Sequence, residues 1–331
     1  MKNVLIKSHI LNRKKSDGYS LLVNRLGTIN IYLDSSTNND ILTDCYYRYY
    51  DFWNRESVNE LRSVPTEGFI YEGIKFNMIS CPSGELDDKL FNAYSFADGE
   101  NVLHEGYMLG ETEVTSQLFD AVMADNDIQN KEHDSYIKTP ITCMSWYDCI
   151  EFCNRLSDYF GLNRYYNIRD KKKDMEENKY IVKAKVDIPN PNANGFRLPT
   201  LLEWGLAARA GTDVNVKLRG YTSDIGFLEY RAMWSRRSMS DKKPKEKQPV
   251  AQKIPNDWGF YDMWGNVDEW CWDPRQGDGG IEENGYTGGS VSSDADKYNK
   301  VYYTTNDGVN KIGTIVLGRY CLGFRIAKNM H

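Results

Sequence analysis

GFRLPTLLEWGLAARAG, residues 195–211, is the stretch on which the reading of this chain turns. Pro199 and Thr200 make a turn, and the Thr200 hydroxyl is placed to cap the helix that begins just beyond it. Arg197 and Glu203 flank that turn, while Trp204 supplies a large side chain for burial. Such a segment reads as scaffold. Residues 248–273, QPVAQKIPNDWGFYDMWGNVDEWCWD, carry the same character farther along. Trp258, Trp264, Trp270 and Trp272 fall within fifteen residues there, which predicts irregular loops pinned by aromatic burial rather than a ligand cage.

Toward the N-terminus the periodicity predicts two amphipathic helices. In YMLGETEVTSQLFDAVMADND (107–127), Thr115 or Ser116 caps a helix with Leu118, Phe119, Val122 and Met123 at helical spacing. In SWYDCIEFCNRLSDYFG (145–161), Ser145 is the cap and Ile150, Cys153 and Leu156 share a face. IYEGIKFNMISCPSGEL (70–86) reads as two short strands around a Pro-Ser-Gly turn. Residues 1–65 form an N-terminal extension: LLVNRLGTINIYL (21–33) alternates like a strand and CYYRYYDFWNRESVNELRS (45–63) reads as an aromatic helix. Lys171, Lys172 and Lys173 read as a solvated loop or hairpin tip, and DKKPKEKQ (241–248) reads the same way.

Composition narrows the function. The 331 residues carry a formal net charge of -6, so nucleic acid, which demands a concentrated basic surface, is not the expected partner. No run approaches the roughly 18 apolar residues of a membrane-spanning helix, and the start MKNVLIKSHILNRKKSDG has no apolar leader core, which taken literally predicts a cytoplasmic chain. Seven cysteines without C-x-x-C spacing indicate neither a zinc ribbon nor a disulfide framework, and the four scattered histidines give no metal motif. A G-x-S-x-G elbow, a Walker loop, a dinucleotide fingerprint and H-E-x-x-H are all missing from the sequence.

The ordered set GETEVTSQLFDAV, PITCMSWYDCIEFCNRLS, GFRLPTLLEWGLAARAG, QPVAQKIPNDWGFYDMWGNVDEWCWD, GGS (288–290) and LGFRIA (322–327) resembles the formylglycine-generating-enzyme/sulfatase-modifying-factor family. Departures include Leu202, Gly205, Phe260 and Asp268. The resemblance covers about residues 67–327 and implies an α+β, C-type lectin-like fold of the formylglycine-generating-enzyme type: two helices packed on twisted antiparallel strands with long irregular loops. The domain is expected over residues 66–331. In the family's enzymes the loop matching GNVDEW holds calcium, and the matching positions here are Asp262, Gly265, Val267 and Glu269, hard oxygen donors that suit a structural calcium ion. The competing reading makes Glu269 a buried network carboxylate with no ion. No other cofactor is implied.

The family's oxidases depend on a cysteine pair after G-G-S-W. Here residues 288–320 contain no cysteine and Val291 stands at the tryptophan position. The chain therefore looks like a non-enzymatic branch, the variable proteins of diversity-generating retroelements, which bind ligands through a C-terminal variable region. That mechanism randomises adenines, so a programmed AAY codon cannot become Lys, Glu, Gln, Met or Trp. From Val301 to Ala327 only Lys311 belongs to those five types. A β-rich stretch explains the same composition equally well.

The variable region is placed at about 275–322, with Arg275, Ser292, Ser293, Asp294, Tyr298, Tyr302, Tyr303, Thr304, Thr305, Asn306 and Asp307 as binding residues. Tyrosine gives broad amphipathic contact at small entropic cost, and small polar residues supply adaptable hydrogen bonds. The expected function is a receptor- or adhesin-like monomer that presents a diversified surface to a protein or other macromolecular ligand, at the cell surface by resemblance. The alternative is a formylglycine-generating or related sulfatase-modifying oxidase.

Overall fold

A computed structural model describes residues 65–85, 102–124, 138–142, 144–176, 179–187, 190, 192–210, 247–252, 255–256, 258–276, 282–291, 302–305, 310–311 and 322–330, together with three N-terminal strands. The chain divides into two compact units: Met1–Ser63 with Asp224–Phe227, and Val64–Ser223 with Leu228–His331. In the first unit, β1 (Asn3–Leu5), β2 (Tyr19–Val23) and β3 (Thr28–Leu33) form an antiparallel sheet in the order β1-β3-β2. The strand expected at 21–33 is thus two paired strands. The aromatic helix expected at 45–63 lies outside the described residues.

In the second unit, β4 (Thr66–Tyr71) and β5 (Ile74–Cys81) form a hairpin whose turn is Glu72–Gly73, both at positive φ (46° and 86°). This corrects the Pro-Ser-Gly expectation. A two-residue turn with left-handed backbone matches the twist of paired strands, and Gly73 adopts that conformation without penalty. Pro82 and Ser83 instead lead into β6 (Gly84–Glu85), which pairs with β7 (Val102–Leu103). Next come β8 (Tyr107–Gly110), α1 (Ser116–Val122) and α2 (Trp146–Tyr159). Thr115 caps α1 by accepting from Leu118 N, and Ser145 caps α2 in a reciprocal box with Asp148.

A hairpin follows, β9 (Ile168–Glu176) with β10 (Lys179–Val186), and then β11 (Phe196–Arg197) and α3 (Leu201–Arg209). The lysine run is therefore strand. Lys171 is only 17% exposed and its Nζ meets Asp148 Oδ1 at 2.9 Å and Glu151, so the solvated-loop reading fails for that residue. Helix α3 begins as its sequence predicts. Thr200 accepts from Glu203 N, Glu203 answers the Thr200 N–H, and Arg197 grips the same carboxylate through two 2.6 Å bonds.

The C-terminal strands are β12 (Asp268–Gln276), β13 (Glu282–Thr287), β14 (Tyr302–Thr305), β15 (Asn310–Lys311), β16 (Leu322–Phe324) and β17 (Ala327–Asn329). One sheet runs β11-β17-β8-β5-β4 and is antiparallel throughout. Both of its faces are buried around β8 and the end of β5, where neighbouring residues join different cores, while β4 is an exposed edge. Met78 and Met108 pack with α1 and α2, whereas Ile79, Cys81, Tyr107 and Leu109 pack with α3, Trp258 and Trp264. The second sheet runs β14-β13-β12-β16 and the third β15-β10-β9. Trp204 and Trp270 are fully buried, as aromatic pinning requires.

Candidate functional site

The second sheet brings together part of the expected binding set. In β12, Arg275 pairs with Glu283 of β13, and Glu283 pairs in turn with Thr305 of β14. Arg275 and Thr305 thus flank one residue on neighbouring strands, two interstrand spacings apart, or about 10 Å. Thr304, Tyr303 and Tyr302 follow in register opposite Asn284, Gly285 and Tyr286. Strand β14 forms one edge of this sheet. Glu283 was not foreseen as a central position, since its place comes from strand register alone. Ser292, Ser293, Asp294, Tyr298, Asn306 and Asp307 lie outside the described residues.

Beneath β13 the packing is tight. Asn284 is buried, and a Cβ on Gly285 would stand 2.8 Å from Leu201 Cδ1. The Tyr286 ring packs edge-on against Trp270 at 6.1 Å. Consecutive residues of a strand face opposite ways, so β13 is packed on both faces, by α3 at Gly285 and by Trp270 at Tyr286, and β14 pairs along its side.

The expected cation loop has a different chemistry. Glu269 is fully buried, accepts Arg325 Nε and Nη2 at 2.6 Å each, and accepts Trp204 Nε1 at 2.7 Å. Asp262, held at φ 56°, accepts Ala251 N at 2.7 Å. The Gly265 N–H donates to Gly288 O, and Asn266 exchanges bonds with the Gln248 backbone on both sides. Both Glu269 oxygens are thus engaged by donors of the chain itself, and a guanidinium supplies positive charge where the resemblance implies calcium on Asp262, Gly265, Val267 and Glu269.

Arg325 also donates to Gly110 O at 3.0 Å and Tyr261 O at 3.1 Å, which ties β8, the tryptophan loop and β12 to one group. Glu113 completes the cluster. It is 1% exposed, neither carboxylate oxygen has a hydrogen-bond partner among the described atoms, and burial with repulsion from Asp262 and Glu269 raises its pKa well above the usual range. Sequence reading passed over Glu113 and Arg325 as site residues, although both sit in the quoted motifs ETEVT and LGFRIA.

Thiol chemistry is disfavoured wherever a cysteine is described. Cys81, Cys149, Cys153 and Cys271 are free and buried. Burial pushes Cys81 up to about 12 and raises the other three, with Asp273 and Glu269 adding to the shift at Cys271. Cys45, Cys143 and Cys321 lie outside the described residues. Val291, at the position of the family tryptophan, is buried.

A family model described as the sulfatase-modifying factor enzyme 1-like domain matches residues 74–330. The chain belongs to that family. Among solved structures, this sulfatase-modifying-factor-like chain is similar to Treponema denticola variable protein 1, at 26% identity and a TM-score of 0.57, covering 80% of this chain and 99% of that one. It is also similar to a protein titled CarF, at 25% identity and a TM-score of 0.55, covering 77% of this chain and 99% of that one. A curated relative, chaperone protein LppX of Paenibacillus barcinonensis, is 35% identical over 192 residues, or 54% of this chain. The match spans 66% of that relative's length. The mixed α+β architecture with antiparallel sheets agrees with the C-type lectin-like expectation. Among the described residues no helix is long and apolar enough to cross a membrane.

Proposed function

We propose that this chain is a non-enzymatic ligand-binding protein whose sulfatase-modifying-factor scaffold presents β14 and its neighbours to a macromolecular partner. The carrying observation is the missing dithiol. Residues 288–320 contain no cysteine, and the nearby described thiol, Cys271, is fully buried with its thiolate disfavoured. A copper- or oxygen-activating thiolate pair needs accessible, ionisable sulfur. Similarity to a variable protein of nearly the same coverage supports the binding reading. In this reading the surface is diversified by an adenine-directed retroelement and faces the cell exterior.

Sequencing the locus tests the diversified form. It predicts a nearby reverse-transcriptase gene, an adenine-rich template copy of the 3′ coding region, and AAY codons at template positions for residues 302–307. A locus with neither gene nor template refutes retroelement diversification. Incubating the protein with a C-x-P-x-R peptide under oxygen and copper tests the oxidase alternative. Mass spectrometry is expected to find the peptide thiol intact, and conversion to an aldehyde overturns the non-enzymatic reading.

A further inference from the structure

The β9–β10 hairpin has no part in the binding reading so far, yet its outer edge touches the candidate segment. Its base is well anchored. Ile168, Ala184 and Val186 pack on the main core, Lys171 is ion-paired to Asp148 and Glu151 of α2, and Arg169 pairs with Asp187. The register shifts between Lys183 and Lys185, opposite Asp170 at φ 54°. Beyond this irregularity Lys172 stands directly opposite Lys183. A two-stranded ribbon alone is marginal in water. The outer hairpin gains its third strand from β15: Lys179 pairs with Lys311 and Tyr180 with Asn310.

The partnership works in both directions. Residues Tyr302–Thr305 are held by β13 on the second sheet, and the chain reaches β10 on the third sheet at Asn310. Only residues 306–309 separate the two attachments. Both are antiparallel main-chain pairings, whose hydrogen bonds use N–H and C=O groups that almost every residue type possesses. An attachment of this kind survives side-chain replacement. We infer that the β9–β10 hairpin is a positioning element for the binding segment, a second tie that holds the chain at Asn310–Lys311 whatever side chains it carries. Its functional meaning rests on the binding reading above, but the tie itself can be tested without a ligand.

In the full chain, Lys173–Val182 is replaced by Asn-Gly. Lys172 and Lys183 are already opposed, so a two-residue turn closes the shortened hairpin. Hydrogen exchange followed by mass spectrometry is expected to show the Asn310–Lys311 amides exchanging at least tenfold faster than in the parent, with β5 and β8 peptides unchanged. Unaltered exchange at Asn310–Lys311 overturns the inference. Equal acceleration in β5 and β8 also overturns it, because the hairpin would then support the whole fold. Should the shortened chain not fold, Asn310→Pro removes β15 from the pairing while leaving the hairpin sequence intact. It is expected to accelerate exchange at Lys311 and at 179–182, and no change refutes the tie. If the tie holds but substitutions in Tyr302–Thr305 leave partner recognition unaffected, the binding reading fails and the hairpin inference stands.

Discussion

Replacing Arg325 with methionine should cost about 4 kcal/mol of stability, because it strands a buried carboxylate. Arg325 and Glu269 are both fully buried and joined by two 2.6 Å bonds. Removing one member of such a pair typically costs about 3–5 kcal/mol, since the remaining charge loses its partner inside the protein. Two further acceptors, Gly110 O and Tyr261 O, lose a charged donor. Glu269→Met leaves the guanidinium stranded and should cost a similar amount. The double variant removes both charges; its residual cost is the unsatisfied Trp204 N–H together with the Gly110 and Tyr261 carbonyls that lose the guanidinium, about 3 kcal/mol. The two single costs therefore sum to about 8 kcal/mol while the pair costs about 3, a coupling on the order of 5 kcal/mol. Urea unfolding followed by tryptophan fluorescence measures all four corners, with a melting shift of roughly 10 °C expected for either single variant. Additive costs, or a coupling below about 1 kcal/mol, would refute the assignment of Arg325 as the cation of this loop.

Other outcomes follow from neighbouring residues. If Arg325 replaces calcium, 2 mM added calcium or chelator should move the melting temperature by less than about 1 °C, and a saturable rise of several degrees would show an ion bound in the folded state. Glu113 has a folded-state pKa raised above its unfolded value, so its contribution is complete below about pH 4.5 and declines as pH rises toward the folded value. Glu113→Gln should flatten that decline, by at most about 1.4 kcal/mol per pH unit, and an unchanged pH profile of stability would contradict the buried proton. Gly323→Ala would place a Cβ 2.6 Å from Ile141 O and 3.0 Å from Val267 Cγ2, which should destabilise by about 1–3 kcal/mol in thermal melts.

The scaffold was readable where its determinants are local. Thr115, Ser145 and Thr200 each cap the helix that their spacing announced, and Trp258, Trp264 and Trp270 are core, with Trp272 packed half-buried against it. The hairpin turn at Glu72–Gly73 escaped because Glu is an unusual occupant of a positive-φ position and the Pro-Ser-Gly triplet gave a stronger turn signal. Lys171 looked solvated because its neighbours in sequence are lysines. Its partners, Asp148 and Glu151, come from a helix some twenty residues earlier. The same blindness affected the central cluster: Glu269 and Arg325 are 56 residues apart, and the calcium reading considered only the loop that holds the glutamate. Of the expected binding positions, strand register placed Arg275 and Tyr302–Thr305 around Glu283, a relation that depends on pairing partners and not on any local pattern.

The closing segment has an effect on synthesis. Phe324, Arg325, Ile326 and Ala327 are all buried, and β17 sits between β11 and β8 inside the main sheet. These residues are translated after the whole stretch from Arg275 to Tyr320. A frameshift or premature stop anywhere in that stretch deletes the guanidinium and an interior strand together, so the truncated product has no way to complete its core. Substitutions that preserve the reading frame leave both intact. Completion of this core therefore depends on the reading frame being right by Leu322.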